Sequence, residues 1–305
     1  MFPQNAQQNG KFMARPRIGL ALGSGVGRGW AHIGVLKGLE KAGVEADVIS
    51  GTSIGALVAG VHLAGHLDVL ETWARSLNRM RMMRYLDLSM QSGGIIGGRR
   101  LSRILTENLG DLVIEHLPKP FIAVATELAT GHEIWLRQGQ LAESLRASYA
   151  LPGIFPPVEI EGRPLVDGAL VNPVPVSVCR AMGARLVIAV NLNADMMGSE
   201  RQQKMQAQQD SKNGNSAASR MLENLFRRDG TPGMFNVMAS ALNILQDRLG
   251  RSRLAGDPPD VTIAPRVGHI GLLDFDCAEE LIEQGEAAVE RSMPFLQDAL
   301  SILGS

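Results

Sequence analysis

A chain of 305 residues with 45% hydrophobic content is long enough to bury a large core, as one big α/β domain or two small ones. Lys+Arg 30 against Asp+Glu 31 leaves a net charge of -1, so no global field draws nucleic acid or an anionic membrane to the chain. Its cysteines, Cys179 and Cys277, are too few for a disulfide framework and lack paired metal or redox spacing, and read as buried small apolar residues.

Residues 1–15, rich in Gln and Asn and without the apolar run of a signal peptide, read as a disordered leader ahead of a single domain over 16–305. No stretch approaches the roughly 18 uninterrupted apolar residues of a membrane-spanning helix. The default placement is therefore cytoplasmic, with peripheral contact at the inner membrane surface left open. Ile18 to Leu22 is a short apolar run that leads into the glycine-dense Gly23 to Gly29 and then a helical stretch from Trp30 to Lys41. A second strand–turn–helix unit follows at once: Ala46 to Ile49, Gly51 to Ser53, Ile54 to His66. Successive units of this kind predict a central, mainly parallel sheet covered by helices. Further strands are expected at Phe121 to Thr126, Glu133 to Leu136, Arg185 to Asn191 and Asp260 to Ala264.

Asp195 to Gly233 breaks the pattern, being polar and aperiodic, and reads as a mobile insertion over 195–233. Apolar spacing resumes at Met238, Ala241, Leu242, Leu245 and Leu249, one face of a helix, and a last helix is expected to open at Asp276 with Glu279 three residues on.

The chemistry sits in three places. Gly51-Thr52-Ser53-Ile54-Gly55 is a G-x-S-x-G sequence between an apolar strand and an amphipathic helix, the context of a nucleophile elbow. A serine on so sharp a turn has strained backbone angles, and Gly51 and Gly55 remove side chains that would collide as strand and helix converge. The bland alternative is an ordinary turn with Ser53 as N-cap. Second, the loop Gly23, Ser24, Gly25, Val26, Gly27, Arg28 and Gly29 offers several backbone N–H groups to an oxyanion. A nucleotide-binding loop is the competing reading, but no frame satisfies G-x-G-x-x-G and no G-K-[ST] follows. Third, Val166-Asp167-Gly168-Ala169 ends a short apolar run with a carboxylate, which serves either as a base for Ser53 or as a turn residue.

Taken in order and spacing, these motifs resemble the bacterial branch of the patatin-like phospholipase family. The likeness includes Arg28-Gly29, Ala31-His32-Ile33-Gly34-Val35-Leu36, the elbow, the proline-containing block Ala147 to Pro157, Asp167-Gly168-Ala169, and Ala255 to Asp260. The resemblance implies a three-layer α/β/α sandwich and a Ser53–Asp167 dyad without histidine. It also implies an oxyanion hole at Gly23 to Gly29 and acyl-lipid substrates, and the residues themselves suggest no metal or cofactor site. Ser24 and Val26 interrupt what is commonly a run of glycines in bacterial relatives.

Several alternatives stay open on the residues alone. His269, the only histidine after Asp167, would complete a Ser-Asp-His order. His32, His62, His66, His116 and His132 read as polar surface or satisfied core groups in helices or at their ends; His62 and His66 have i, i+4 spacing but no third metal ligand. Arg75, Arg79, Arg81 and Arg84, interleaved with Leu77, Met80, Met82, Met83 and Leu86, read as a helix packing Met inward or as a basic segment leaning on lipid; Gly93-Gly94 and Gly97-Gly98 would suit a flap. The same acyl-enzyme chemistry would serve an acyltransferase or thioesterase, and the same fold a lipid-binding regulator with little turnover.

Overall fold

The computed structural model describes residues 15–77, 99–195, 227–228, 231–232, 234–272 and 274–304. Its framework is one sheet whose strands run in the order β10-β7-β1-β2-β3-β6-β5, with β4 also paired to β3. These strands are β1 (Ile18–Leu22), β2 (Val48–Thr52), β3 (Phe121–Glu127), β4 (Glu133–Leu136), β5 (Val158–Ile160), β6 (Arg163–Asp167), β7 (Leu186–Val190) and β10 (Val261–Ile263). From β10 to β3 every pairing is parallel; β4, β5 and β6 add an antiparallel end. A short strand ending at Asp167 is expected from the sequence and is β6, but its hairpin partner β5 is not anticipated, because Pro156-Pro157 obscures the alternation ahead of it.

The central strands are buried on both faces, so their sequences are continuous apolar runs rather than alternations. The period of two survives in what each side chain touches. Leu20, Leu22, Leu186, Ile188 and Val190 join the larger core, while Ala21, Val187 and Ala189 face a smaller one with Val176 and Cys179. The larger core is covered by α1 (Ala31–Lys41), α2 (Ile54–Leu63), α3 (Leu67–Ser76), α4 (Arg99–Leu109), α5 (Leu141–Ser148) and α8 (Ala278–Gly304), the smaller by α6 (Val176–Ala181). Three layers, α/β/α, result.

α1 and α8 cross almost backbone to backbone. A Cβ on Gly34 would lie 1.9 Å from the Ile282 carbonyl oxygen, and one on Gly285 would lie 2.1 Å from that of Ala31. The long α7 (Met234–Gly256) lies over the end of the sheet where β1, β2 and β6 finish. Its inward face differs from the one its apolar spacing predicts: Ala241 and Leu245 are exposed, whereas Gln246 and Gly250 are buried and Leu242 and Leu249 partly so. Polar anchors turn the helix, since Gln246 Oε1 accepts from Ser24 Oγ (3.3 Å) and Arg253 reaches the Val171 carbonyl and Glu133 (both 3.0 Å).

Other boundaries move slightly. α8 starts at Ala278, with the Cys277 carbonyl accepting from Leu281 N–H, not at Asp276. Arg15, the last residue of the expected leader, forms a two-pronged ion pair with Asp47 at 2.7 and 3.1 Å. Of the 195–233 insertion only Asp195 and a pair of two-residue strands, β8 (Arg227–Arg228) and β9 (Thr231–Pro232), are described. Arg75 pairs with Glu71 and Leu77 is buried; the rest of the Arg/Met segment and Gly93 to Gly98 lie outside the described residues. Cys179 is buried as expected, but Cys277 is only partly so. No described helix is long and apolar enough to cross a membrane.

Candidate active site

Both ends of the proposed chemistry are placed by β3. Its consecutive residues Val124 and Ala125 pair with Thr52, the last residue of β2, and with Asp167, the last of β6. Two chain segments more than a hundred positions apart thus end side by side, and Ser53 Oγ donates to Asp167 Oδ2 at 2.6 Å. Both groups are buried, at 4% and 1% exposure.

Ser53 stands at φ 58, ψ -126, between β2 and the first turn of α2. That backbone is costly for a non-glycine residue, on the order of 1–3 kcal/mol. It is held by the glycines around it: a Cβ on Gly51 would fall 2.5 Å from Ala56 Cα, and one on Gly55 would fall 2.3 Å from the Leu22 carbonyl oxygen. Ser148 supplies a further restraint that the sequence reading missed. Its hydroxyl accepts from Ser53 N–H at 2.9 Å and donates to the Val124 carbonyl at 2.6 Å. The available signal was Ser148 on the buried stripe of α5, in register with Leu141, Ser144 and Leu145.

Asp167 is both turn residue and partner of Ser53. Its Oδ1 accepts from Ala169 N–H at 2.8 Å, capping a short 3-10 turn, which leaves Oδ2 for the serine. Thr126 Oγ1 donates to its carbonyl, and its own N–H donates to Ala150. Gly168 is required because a Cβ there would meet the Val124 carbonyl oxygen at 2.2 Å. Burial is the main influence on the carboxyl group and raises its pKa from 3.8 to about 7, against the lowering effect of the hydrogen bonds from Ser53 and Ala169.

The glycine loop lies against the elbow: a Cβ on Gly29 would sit 2.0 Å from Ile54 Cγ1. Most of its N–H groups are already used. Those of Gly23, Ser24, Gly27 and Arg28 donate to the carbonyls of Val190, Pro173, Leu272 and Gly25, and Gly29 lies inside the 3-10 turn Val26–Trp30. The N–H groups of Gly25 and Val26 have no acceptor among the described residues. Val26 has φ 50, a conformation that β-branched residues avoid. Arg28 points its guanidinium away, with Nε donating to the Ile270 carbonyl at 2.7 Å, so its side chain anchors the loop. Val26 also borders a cavity of about 10 Å³ with Leu151, Ile154, Leu242, Gln246 and Leu272, room for about one water.

Histidine takes no part in the pair. His269 Nε2 meets Glu280 at 2.6 Å on the surface, so the Ser-Asp-His alternative has no geometric support. His62 and His66 belong to no group of three metal-ligating side chains among the described residues. His132 lies in the turn between β3 and β4 rather than at a helix end, and His32 is fully buried with Nδ1 unpaired rather than satisfied.

Residues 20–180 match the family model for patatin-like phospholipases. The chain belongs to the patatin-like phospholipase family. An NTE family protein of Mycobacterium tuberculosis is 33% identical over 91% of each chain. A lysophospholipase of Emericella nidulans is 29% identical over 88% of this chain and 18% of its own length. Among solved structures, VipD from Legionella pneumophila superimposes with a TM-score of 0.50 over 93% of this chain and 67% of that one, at 14% identity, a likeness of fold alone. Within the patatin-like family frame, the matched residues 20–180 contain the glycine loop, the elbow and Asp167.

Proposed function

We propose that the protein is a serine acyl hydrolase acting on carboxylic esters of lipids, through an acyl-enzyme on Ser53 with Asp167 as general base. The observation that carries this reading is the 2.6 Å contact from Ser53 Oγ to a buried carboxylate, at the end of a strand–turn–helix elbow. Membership of a phospholipase family and similarity to a lysophospholipase support a lipid ester as substrate.

In the first step Ser53 Oγ attacks the acyl carbon while its proton passes to Asp167 Oδ2. The carbonyl π electrons move onto oxygen, which the N–H groups of Gly25 and Val26 are free to receive. Collapse of the tetrahedral adduct breaks the ester C–O bond, and Asp167 returns the proton to the leaving alcohol. Water then repeats the sequence and frees the acid. A carboxyl group with a pKa of about 7 is a far better base near neutrality than an exposed aspartate.

The test is hydrolysis of a short p-nitrophenyl ester and of a lysophospholipid by wild type, Ser53→Ala, Asp167→Asn and His269→Ala. We expect the first two variants to lose about 10³-fold or more in kcat with the fold intact by circular dichroism, and His269→Ala to match wild type. A wild type no more active than Ser53→Ala on both substrates would overturn the proposal.

A further inference from the structure

His32 is the one fully buried histidine of the described residues, and the chemistry above does not use it. It projects from the first turn of α1, and its Nε2 lies 2.7 Å from the carbonyl oxygen of Gly23. A carbonyl oxygen only accepts, so Nε2 must carry the proton. Nδ1 is then a bare acceptor, and no donor faces it among the described residues. Leaving such an atom unpaired in the core carries a desolvation cost.

What that cost secures is the orientation of one peptide. The Gly23–Ser24 unit has its carbonyl held by His32 and its N–H held by the Pro173 carbonyl at 2.8 Å. The Gly23 N–H before it is held by Val190 at 3.0 Å, and a Cβ on Gly55 would approach the Gly23 oxygen to 2.5 Å. Every group of this peptide is therefore buried and engaged, and the next two N–H groups along the chain, those of Gly25 and Val26, have no acceptor among the described residues. Without a donor at the His32 position the Gly23 carbonyl would be stranded between α1 and the elbow helix. A rotation of the peptide to relieve it would also turn the N–H groups that follow.

We infer that His32 is a positioning residue, whose Nε2–H fixes the Gly23 carbonyl and thereby aims the N–H groups of Gly25 and Val26 at the oxygen of an acyl carbonyl on Ser53. This inference rests on the acyl-hydrolase reading. Burial, the dominant influence, lowers the imidazole pKa to about 4, so the ring stays neutral near pH 7 and the donor is always present. The neutral ring explains the residue type as well: it reaches the carbonyl rigidly and places no cation in the core.

The experiment compares wild type with His32→Gln, His32→Asn and His32→Leu. A glutamine amide nitrogen overlays imidazole Nε2 and keeps the donor; an asparagine amide overlays Nδ1 and falls short; leucine keeps volume and removes the donor. Thermal midpoints identify the folded variants. kcat and KM for the p-nitrophenyl ester, and the inhibition constant of a trifluoromethyl ketone that forms an oxyanion on Ser53, report the site. We expect His32→Leu and His32→Asn to lose about 10- to 100-fold in kcat and in affinity for the ketone, with KM within about twofold of wild type. His32→Gln should recover most of both. If leucine misfolds, the Gln against Asn comparison decides alone. Equal kcat and ketone affinity across the folded variants of an active wild type would overturn the role of His32 while leaving the hydrolase reading intact. A wild type that neither hydrolyses the ester nor binds the ketone would overturn both.

Discussion

Asp167 carries an unusual pairing of roles for one carboxylate. One oxygen closes a turn and the other accepts from Ser53, so a residue that belongs to a turn by its neighbours is also the base of the proposed mechanism. Its burial makes activity and stability respond to pH in opposite senses. The proposed mechanism needs Asp167 ionised, so kcat/KM for ester hydrolysis is expected to rise through a pH of about 7 and level off above it. The folded pKa is raised above the ordinary 3.8, so between about 4 and 7 the unfolded chain releases a proton that the folded chain retains. This group's contribution to stability is therefore complete below about pH 4, falls as pH rises through the window, and is constant beyond it. Asp167→Asn removes the charge but keeps the shape. Thermal or urea denaturation should find that variant more stable than wild type by roughly 1–4 kcal/mol near pH 8, with the gap closing near pH 4. A pH-independent difference would assign the effect to packing instead.

At the scale of elements, the site depends on how closely helices and strands approach. Ser148 links α5 to both the Ser53 N–H and the Val124 carbonyl, and removing its hydroxyl leaves two buried groups unpaired. Ser148→Ala is expected to lower stability by about 2 kcal/mol or more and to reduce kcat with the elbow loosened; denaturant titration and ester hydrolysis measure the two effects. The α1–α8 crossing makes a purely structural contrast. Gly34→Ala drives a methyl group into the Ile282 carbonyl, a backbone atom no side-chain rotation can clear. A loss of about 2–3 kcal/mol is expected there, with the kcat of the surviving folded protein unchanged.

For the whole molecule, the parallel strands β1, β2 and β7 are buried throughout, and they join the two halves of the chain. α7 is held differently, by Gln246 and Arg253 on one face, while Val237, Ile244 and Leu245 are 52%, 58% and 61% exposed on others. Amide hydrogen exchange should therefore be slowest in β1, β2 and β7 and faster in the first half of α7. Uniform protection across α7 and the central strands would show that the helix opens only with the whole fold.

Much of this is legible in the sequence itself. The glycine-bounded serine, the Asp-Gly after an apolar run and the paired strand–loop–helix units are local signals, because sharp turns and buried strands demand particular residues within a few positions. They point to the parallel core of the sheet and to the elbow, while the pairing of Ser53 with Asp167 comes from the family resemblance, since Asp-Gly by itself reads equally as a turn. The rest depends on neighbours distant in sequence. That His32 holds Gly23, that Ser148 restrains Ser53, that the Gly25 and Val26 N–H groups have no acceptor among the described residues and that Gln246 turns α7 inward are all outcomes of long-range pairing. No periodicity encodes them, since a buried polar atom reveals its purpose only through the partner that packing brings to it.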